Sequence, residues 1–321
     1  MTRLGLVGAG YMAHTHAAAL RSLGAEVVGV CATDAAAAER LAQQHQLQLY
    51  RTLDELLEAV DVVDLCTPTD THEALTVRAA RAGRHVICEK PIALSPESGE
   101  RMIAACEAAG VRLFIALVLR FFPQYRAAHE QVAAGAIGRP ELLRLMRTTA
   151  PPAFGGDWYF DPERSGGALL DLLIHDLDYA RWVAGDVRQV YALTRQQGQR
   201  SYAQVMLSHH SGALSLVEGG WAYPDGLFRT SLDLSGDGGV IEWNSDAPPP
   251  LRVFEPPGAP ELAALPALNP AQDPYAAELA HALHCLEYGL PFEVTPQDAL
   301  AALRLSLAAR ESVRTGQAVT L

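Results

Sequence analysis

The feature that most limits what this chain can fold into lies at its start, where Leu4-Gly5-Leu6-Val7 leads directly into Gly8-Ala9-Gly10-Tyr11-Met12-Ala13. A short apolar run, a G-x-G-x-x-A pattern and an Ala-rich stretch reaching Leu23 predict a buried strand, a tight turn and a helix. Each small residue has a geometric purpose. Gly8 permits the turn, Gly10 lets the backbone approach a bound group, and Ala13 keeps the helix close to the sheet while its N-terminus faces an anion. The pattern predicts the phosphate-binding turn of a dinucleotide site.

The same alternation continues to about residue 118. Further strands are expected at 27–31, 62–66, 85–88 and 112–117, with helices from Asp34 onward and at 71–82 and 96–109. These strands read as apolar runs without alternation, as strands covered on both faces do, which predicts a doubly wound parallel sheet. After Pro123 the pattern changes. Alternating β-rich stretches at 141–149, 187–194, 202–208, 213–219, 229–234 and 240–243 predict one large, mostly antiparallel sheet. A helix over about 168–183 interrupts them, and helices near 275–288 and 296–314 follow. Nine of the 20 prolines fall between Pro248 and Pro274, so that stretch is expected to be an irregular surface excursion. The 321 residues, at roughly 150 per domain, fit two domains. Residues 1–120 are expected to form an α/β Rossmann domain. Residues 121–321 are expected to form an α+β substrate-binding and oligomerisation domain, whose C-terminal helices can pack back on the first.

Composition excludes several classes. The net charge of −12, with arginines spread along the chain in no basic block, disfavours a nucleic-acid partner. No apolar run approaches the ~20 residues of a membrane-spanning helix, and no cleavable signal precedes the first strand pattern. The five cysteines form no C-x-x-C pair and three of them end apolar runs, which suits buried thiols in a reducing, cytoplasmic setting.

Of 25 basic residues, 24 are arginines and one is a lysine, Lys90. Arginine-biased codon usage accounts for the 24, but not for where the lysine stands. Glu89-Lys90-Pro91 sits at the C-terminal end of the apolar run His85-Val86-Ile87-Cys88, and open α/β sheets bind ligands outside the carboxyl ends of their strands. A lysine is a compact point donor that can occupy a tight pocket or lose its proton. Lys90 is therefore a candidate site residue.

Two further patterns bear on chemistry. The acidic residue expected about 20 positions after the glycine turn, at the end of the second strand, is replaced by Ala32-Thr33, with Asp34 two places on as a helix cap. No arginine adjoins it to receive a 2′-phosphate, so NAD and NADP both remain open. Asp171 and His175, four apart on the expected 168–183 helix, would share one face, and a carboxylate beside an imidazole tunes an acid/base pair. An ordinary surface pair and a metal pair compete with this reading, and His14 with His16 or His281 with His284 offer similar spacings. None has a closed ligand set, and no metal is expected.

The ordered set of motifs resembles the glucose–fructose oxidoreductase, inositol dehydrogenase and MocA-type family of NAD(P)-dependent oxidoreductases over nearly the whole chain. The resemblance rests on Gly8 through Ala13, Thr67-Pro68-Thr69-Asp70-Thr71-His72, Cys88-Glu89-Lys90-Pro91, Arg120 with Pro123, Trp158 before Ser165-Gly166-Gly167-Ala168, and Asp171 through His175 to Asp178. It implies that Gly8, Gly10, Tyr11 and Met12 line the cofactor phosphates. Pro68 and His72 would lie along its adenosine and nicotinamide side, and Glu89 near the nicotinamide ribose. Lys90, Asp171 and His175 match the family's catalytic triplet, and the family's Lys-Pro peptide is often cis. Leu173 stands where the family commonly has Gly, and bears on the substrate floor. Arg120, Trp158, Tyr159 and Arg164 are candidate substrate contacts. The implied activity is hydride exchange with a secondary alcohol or carbonyl of a sugar, polyol or cyclitol by a homodimer or homotetramer. A redox-assisted glycosidase and a non-catalytic dinucleotide-sensing regulator are the alternatives.

Overall fold

Strand β1 (Arg3–Val7) is buried at every position after Arg3, because it lies between two parallel neighbours and under helices. In this computed structural model residues 2–152, 156–246, 252–254 and 273–321 are described. They divide into two units. The first comprises Met1–Val118, Phe154–Ser165 and Gln272–Leu303; the second comprises Leu119–Ala153, Gly166–Ala271 and Arg304–Leu321.

In the first unit β1 is followed by α1 (Tyr11–Ser22), β2 (Glu26–Cys31), α2 (Ala35–His45), β3 (Gln48–Leu49), α3 (Leu53–Ala59), β4 (Val62–Leu65), α4 (His72–Arg81), β5 (His85–Glu89), α5 (Pro96–Ala108) and β6 (Leu113–Ala116). The six strands are parallel in the order β3-β2-β1-β4-β5-β6. The order reverses between β1 and β4, the switch point beside which such sheets bind ligands. Side chains start the helices where the sequence supplies them: Asp34 caps α2, Thr52 and Glu55 form a capping box on α3, and Ser95 caps α5. All five cysteines are buried and unbridged, and all belong to this unit.

The second unit holds α6 (Pro123–Ala133), β7 (Pro140–Thr149), α8 (Gly167–Asp171), α9 (Ile174–Ala184), β8 (Val187–Gln197), β9 (Arg200–His209), β10 (Leu214–Trp221), β11 (Phe228–Gly236), β12 (Val240–Asn244), β13 (Arg252–Phe254) and β14 (Val319–Thr320). The short α7 (Pro162–Ser165) and α10 (Pro274–Tyr288) belong to the first unit, and α11 (Pro296–Thr315) begins there and ends in the second. The eight-stranded sheet runs β13-β12-β11-β7-β10-β9-β8-β14, antiparallel at every pair except β10 with β7. This is the doubly wound parallel sheet plus mostly antiparallel sheet that the sequence predicts. Apart from residues 252–254 and 273–274, the proline-rich stretch lies outside the described residues.

One expectation is corrected. The helix predicted over 168–183 is two helices, because the backbone ladder slips at Leu172-Leu173. The Leu173 N–H bonds the carbonyl of Ala168 five residues back, and the Asp176 N–H bonds that of Leu173 three back. Leu169, Leu170, Leu173, Ile174 and Leu177 are all buried, so the apolar stripe runs straight through the break and hides it from a reading of periodicity. Asp171 ends α8 and His175 is the second residue of α9, so the helical i,i+4 argument for a shared face does not apply. Leu173 itself is fully buried, a packing residue.

Candidate active site

The turn after β1 has the geometry its glycines predict. Gly8 has φ +107°, and a Cβ there would stand 2.2 Å from the carbonyl oxygen of Cys66. Its N–H donates to the Cys31 carbonyl at 2.9 Å, so the turn is sewn between the ends of β2 and β4. Gly10 is the N-cap of α1; no side chain caps this helix, and its first turn has no acidic residue. A Cβ on Gly10 would meet nothing within 4 Å. Open space over an uncapped helix start of 12 residues fits a dinucleotide pyrophosphate. Tyr11 is about half exposed and Met12 partly buried beside it. At the end of β2 Ala32 is partly exposed and Thr33 exposed, while Asp34 accepts the Ala37 N–H at 3.0 Å and is spent on capping.

Glu89-Lys90-Pro91 leaves the C-terminal end of β5, and the Lys90–Pro91 peptide is cis. Glu89 is buried: one carboxylate oxygen accepts the backbone N–H of Lys90 at 3.1 Å, and the other lies 3.1 Å from Nε2 of His16. This carboxylate is turned inward, into the unit that carries it.

His72, expected along the cofactor, is held by contacts within its own unit. His72 is fully buried, with Nδ1 2.9 Å from the Pro91 carbonyl and Nε2 3.0 Å from the Thr67 carbonyl. It braces the turn at 67–68 against the Lys90–Pro91 peptide. Burial depresses its pKa, against the pull of the two carbonyls. Pro68 starts the 3-10 turn Thr69–Thr71, whose Thr71 hydroxyl bonds back to the Pro68 carbonyl.

A cluster that sequence reasoning missed lies beneath this strand end. His16, Asp64 and Cys66 are all buried, with potential ligand atoms within 4.8 Å of one another. His16 Nδ1 lies at hydrogen-bond distance from Asp64, 2.9 Å, and the opposite ring nitrogen lies 3.1 Å from Glu89 without hydrogen-bond geometry. The signal was in the sequence: Val62-Val63-Asp64-Leu65 places a carboxylate inside an apolar strand, where a buried charge demands a partner. His14 contacts the ring of His45, and His281 bonds Glu293 and Cys285, so neither expected His pair acts as a unit.

In the second unit His175 and Asp171 are partly buried. Helix α9 is anchored just after His175 by two buried ion pairs. Asp176 receives Arg147 at 2.6 and 3.2 Å, and Asp178 receives Arg120 at 2.8 and 2.6 Å. Arg120, expected as a substrate contact, is 2% exposed and lies over the Trp182 ring, and its pair with Asp178 braces α9. Asp178→Ala should destabilise the protein by about 3–5 kcal/mol, because it strands the Arg120 charge. A urea midpoint equal to wild type would refute this.

The Trp158 and Tyr159 rings are tilted against each other, with centroids 4.1 Å apart, and are partly exposed. Arg164 pairs with Asp70 at 3.0 Å near the surface. Lys90, Trp158, Tyr159 and Arg164 belong to the first unit, Asp171 and His175 to the second.

Comparison with known proteins agrees with this geometry. The family model described as oxidoreductase family, NAD-binding Rossmann fold, matches residues 2–117, and the GFO/IDH/MocA C-terminal domain matches 125–242. The chain is 32% identical to a D-apiose dehydrogenase of Paraburkholderia graminis, over 98% of this chain and 88% of that protein. It is 29% identical to an inositol 2-dehydrogenase of Rhizobium meliloti, over 99% of each. Among solved structures, the WlbA dehydrogenase of Bordetella pertussis in complex with NADH and UDP-GlcNAcA superposes with a TM-score of 0.86 at 25% identity, covering 100% of this chain and 97% of that one. The glycine turn, the Glu-Lys-Pro strand end and both sheets thus have one explanation: the chain belongs to the GFO/IDH/MocA family of NAD-binding oxidoreductases.

Proposed function

We propose that this oxidoreductase exchanges hydride between NAD or NADP and a secondary alcohol, or the matching carbonyl, of a sugar, polyol or cyclitol. The observation that carries the reading is Lys90, a compact donor at the carboxyl end of β5 whose backbone is held by Glu89. Relatives named for D-apiose and inositol support a polyhydroxylated substrate. When bound, the nicotinamide supplies a hydride acceptor or donor at its C4. His175 takes the proton of the reacting hydroxyl in oxidation and returns it in reduction. Lys90 Nζ donates to the same oxygen and offsets its developing negative charge. Asp171 orients His175 or binds a neighbouring hydroxyl. Exposed Tyr191, Leu193, Met206 and Leu214, on one face of β8–β10, support assembly of like subunits through that face.

The test is titration with NAD and NADP, then a panel of polyols and aldoses followed at the reduced-nicotinamide band. At least one cofactor should bind, and at least one polyol should produce a stoichiometric absorbance change. Glycoside cleavage with no net change would instead identify a redox-assisted glycosidase. Saturable binding with no turnover across the panel would identify a sensing protein, and failure to bind either cofactor overturns the reading.

A further inference from the structure

The interior of the first unit holds charged groups that the proposed chemistry does not touch. His16 on α1 is fully buried. Its Nδ1 lies 2.9 and 3.1 Å from the two carboxylate oxygens of Asp64 on β4, and its Nε2 lies 3.1 Å from Glu89 at the end of β5. Cys66 Sγ is 3.4 Å from Nδ1. The Tyr275 ring of α10 lies 6.5 Å from the imidazole. Glu278, one turn further along α10, is fully buried within electrostatic reach of His16, Glu89 and Asp64, with no hydrogen-bond partner for either carboxylate oxygen among the described residues.

A neutral imidazole carries one N–H, so in this setting it would turn a bare lone pair towards a carboxylate. The protonated ring donates from Nδ1 to Asp64 and sets a positive charge 3.1 Å from Glu89, an ion-pair contact without hydrogen-bond geometry. We propose that His16 is a positioning residue, an imidazolium strap that ties the Glu89 carboxylate to Asp64 and thereby fixes the Glu89–Lys90 peptide at the end of β5. The line of contacts runs from Asp64 through His16 to Glu89, whose second oxygen holds the Lys90 N–H at 3.1 Å.

The surrounding groups favour this charge state. Burial works against charging His16, but Asp64, the Cys66 sulfur and the hydrogen bonds to both outweigh it and raise its pKa well above the ordinary value. Burial pushes Glu89 up, yet His16 and Lys90 pull it below the ordinary carboxylate value. Cys66 is pushed up to about 12 by burial and by Asp64, so it remains a thiol. Glu278 is raised well above its ordinary value by burial and by Glu89, a direction that disfavours a further negative charge here. His72 differs: its ring nitrogens face uncharged carbonyls, burial lowers its pKa, and a neutral ring there donates to only one of the two.

The inference rests on the proposed role of Lys90, and its test separates the two. Nitrogen NMR of the wild-type protein without cofactor should show both His16 ring nitrogens protonated and unchanged from about pH 6 to pH 9. A ring nitrogen without its proton at pH 7 overturns the strap. His16→Gln, which keeps one donor and loses the charge, should lower kcat about 10²-fold with the KM for polyol and the Kd for cofactor nearly unchanged. A folded variant with wild-type kcat also overturns it. If Lys90→Met keeps its activity, the catalytic reading of Lys90 falls, while the NMR result still decides the charge on His16.

Discussion

Lys90→Arg is expected to lower kcat about 10²–10³-fold while cofactor affinity changes little. Arginine keeps the positive charge, so a purely electrostatic surface role would survive the exchange. A planar fork of five donors, however, cannot replace a point donor aimed at one oxygen, and its larger head would displace the bound hydroxyl. The backbone cannot readily shift to make room. Glu89 holds the Lys90 N–H, His72 holds the Pro91 carbonyl, and both braces are buried. Twenty-four arginines elsewhere show that this chain accepts arginine freely where only charge is needed. Steady-state kcat with a substrate found in the polyol panel, together with cofactor Kd from fluorescence quenching, gives the answer; a wild-type kcat would remove Lys90 from the mechanism.

His175→Asn is expected to cost about 10²–10⁴ in kcat and to erase one pH dependence in each direction of the reaction. For alcohol oxidation His175 must be neutral to accept a proton, so the wild-type rate should rise with pH through the histidine pKa and then level. For carbonyl reduction it must be charged, so the rate should fall over the same interval. Asparagine cannot titrate, and both slopes should vanish together. The Asp176–Arg147 and Asp178–Arg120 pairs hold α9 independently of the imidazole, so the unfolding midpoint should stay near wild type. A variant whose profile keeps both slopes would assign the proton transfer to another group.

Much of the fold was legible because its signals are local. The apolar run of β1, the required Gly8 and the caps at Asp34 and Ser95 are each written in a few adjacent residues. The change from unbroken apolar strands to alternating ones likewise marked the passage from a sheet covered on both faces to one with an open face. What escaped depends on partners far apart in sequence. The pairing of Arg120 with Asp178, 58 positions away, cannot be read from either residue's neighbours. His16 stands 48 residues from Asp64, and their pairing follows only once β1 is known to lie beside β4. The break between α8 and α9 escaped for another reason: hydrogen bonds slipped while the apolar stripe continued, and periodicity records side chains alone.

The cysteines carry a consequence for measuring stability. Burial raises the pKa of every one of the five, with Cys106 pushed up to about 11, and none is bridged. A thiol reagent in solution therefore meets an inert native protein and reacts only through openings that expose a sulfur. Because all five belong to the first unit, labelling kinetics form a gauge of that unit alone, blind to the eight-stranded sheet. Cofactor binding should slow the label by the factor with which it stabilises the unit, so affinity can be read from chemical protection without any substrate in hand.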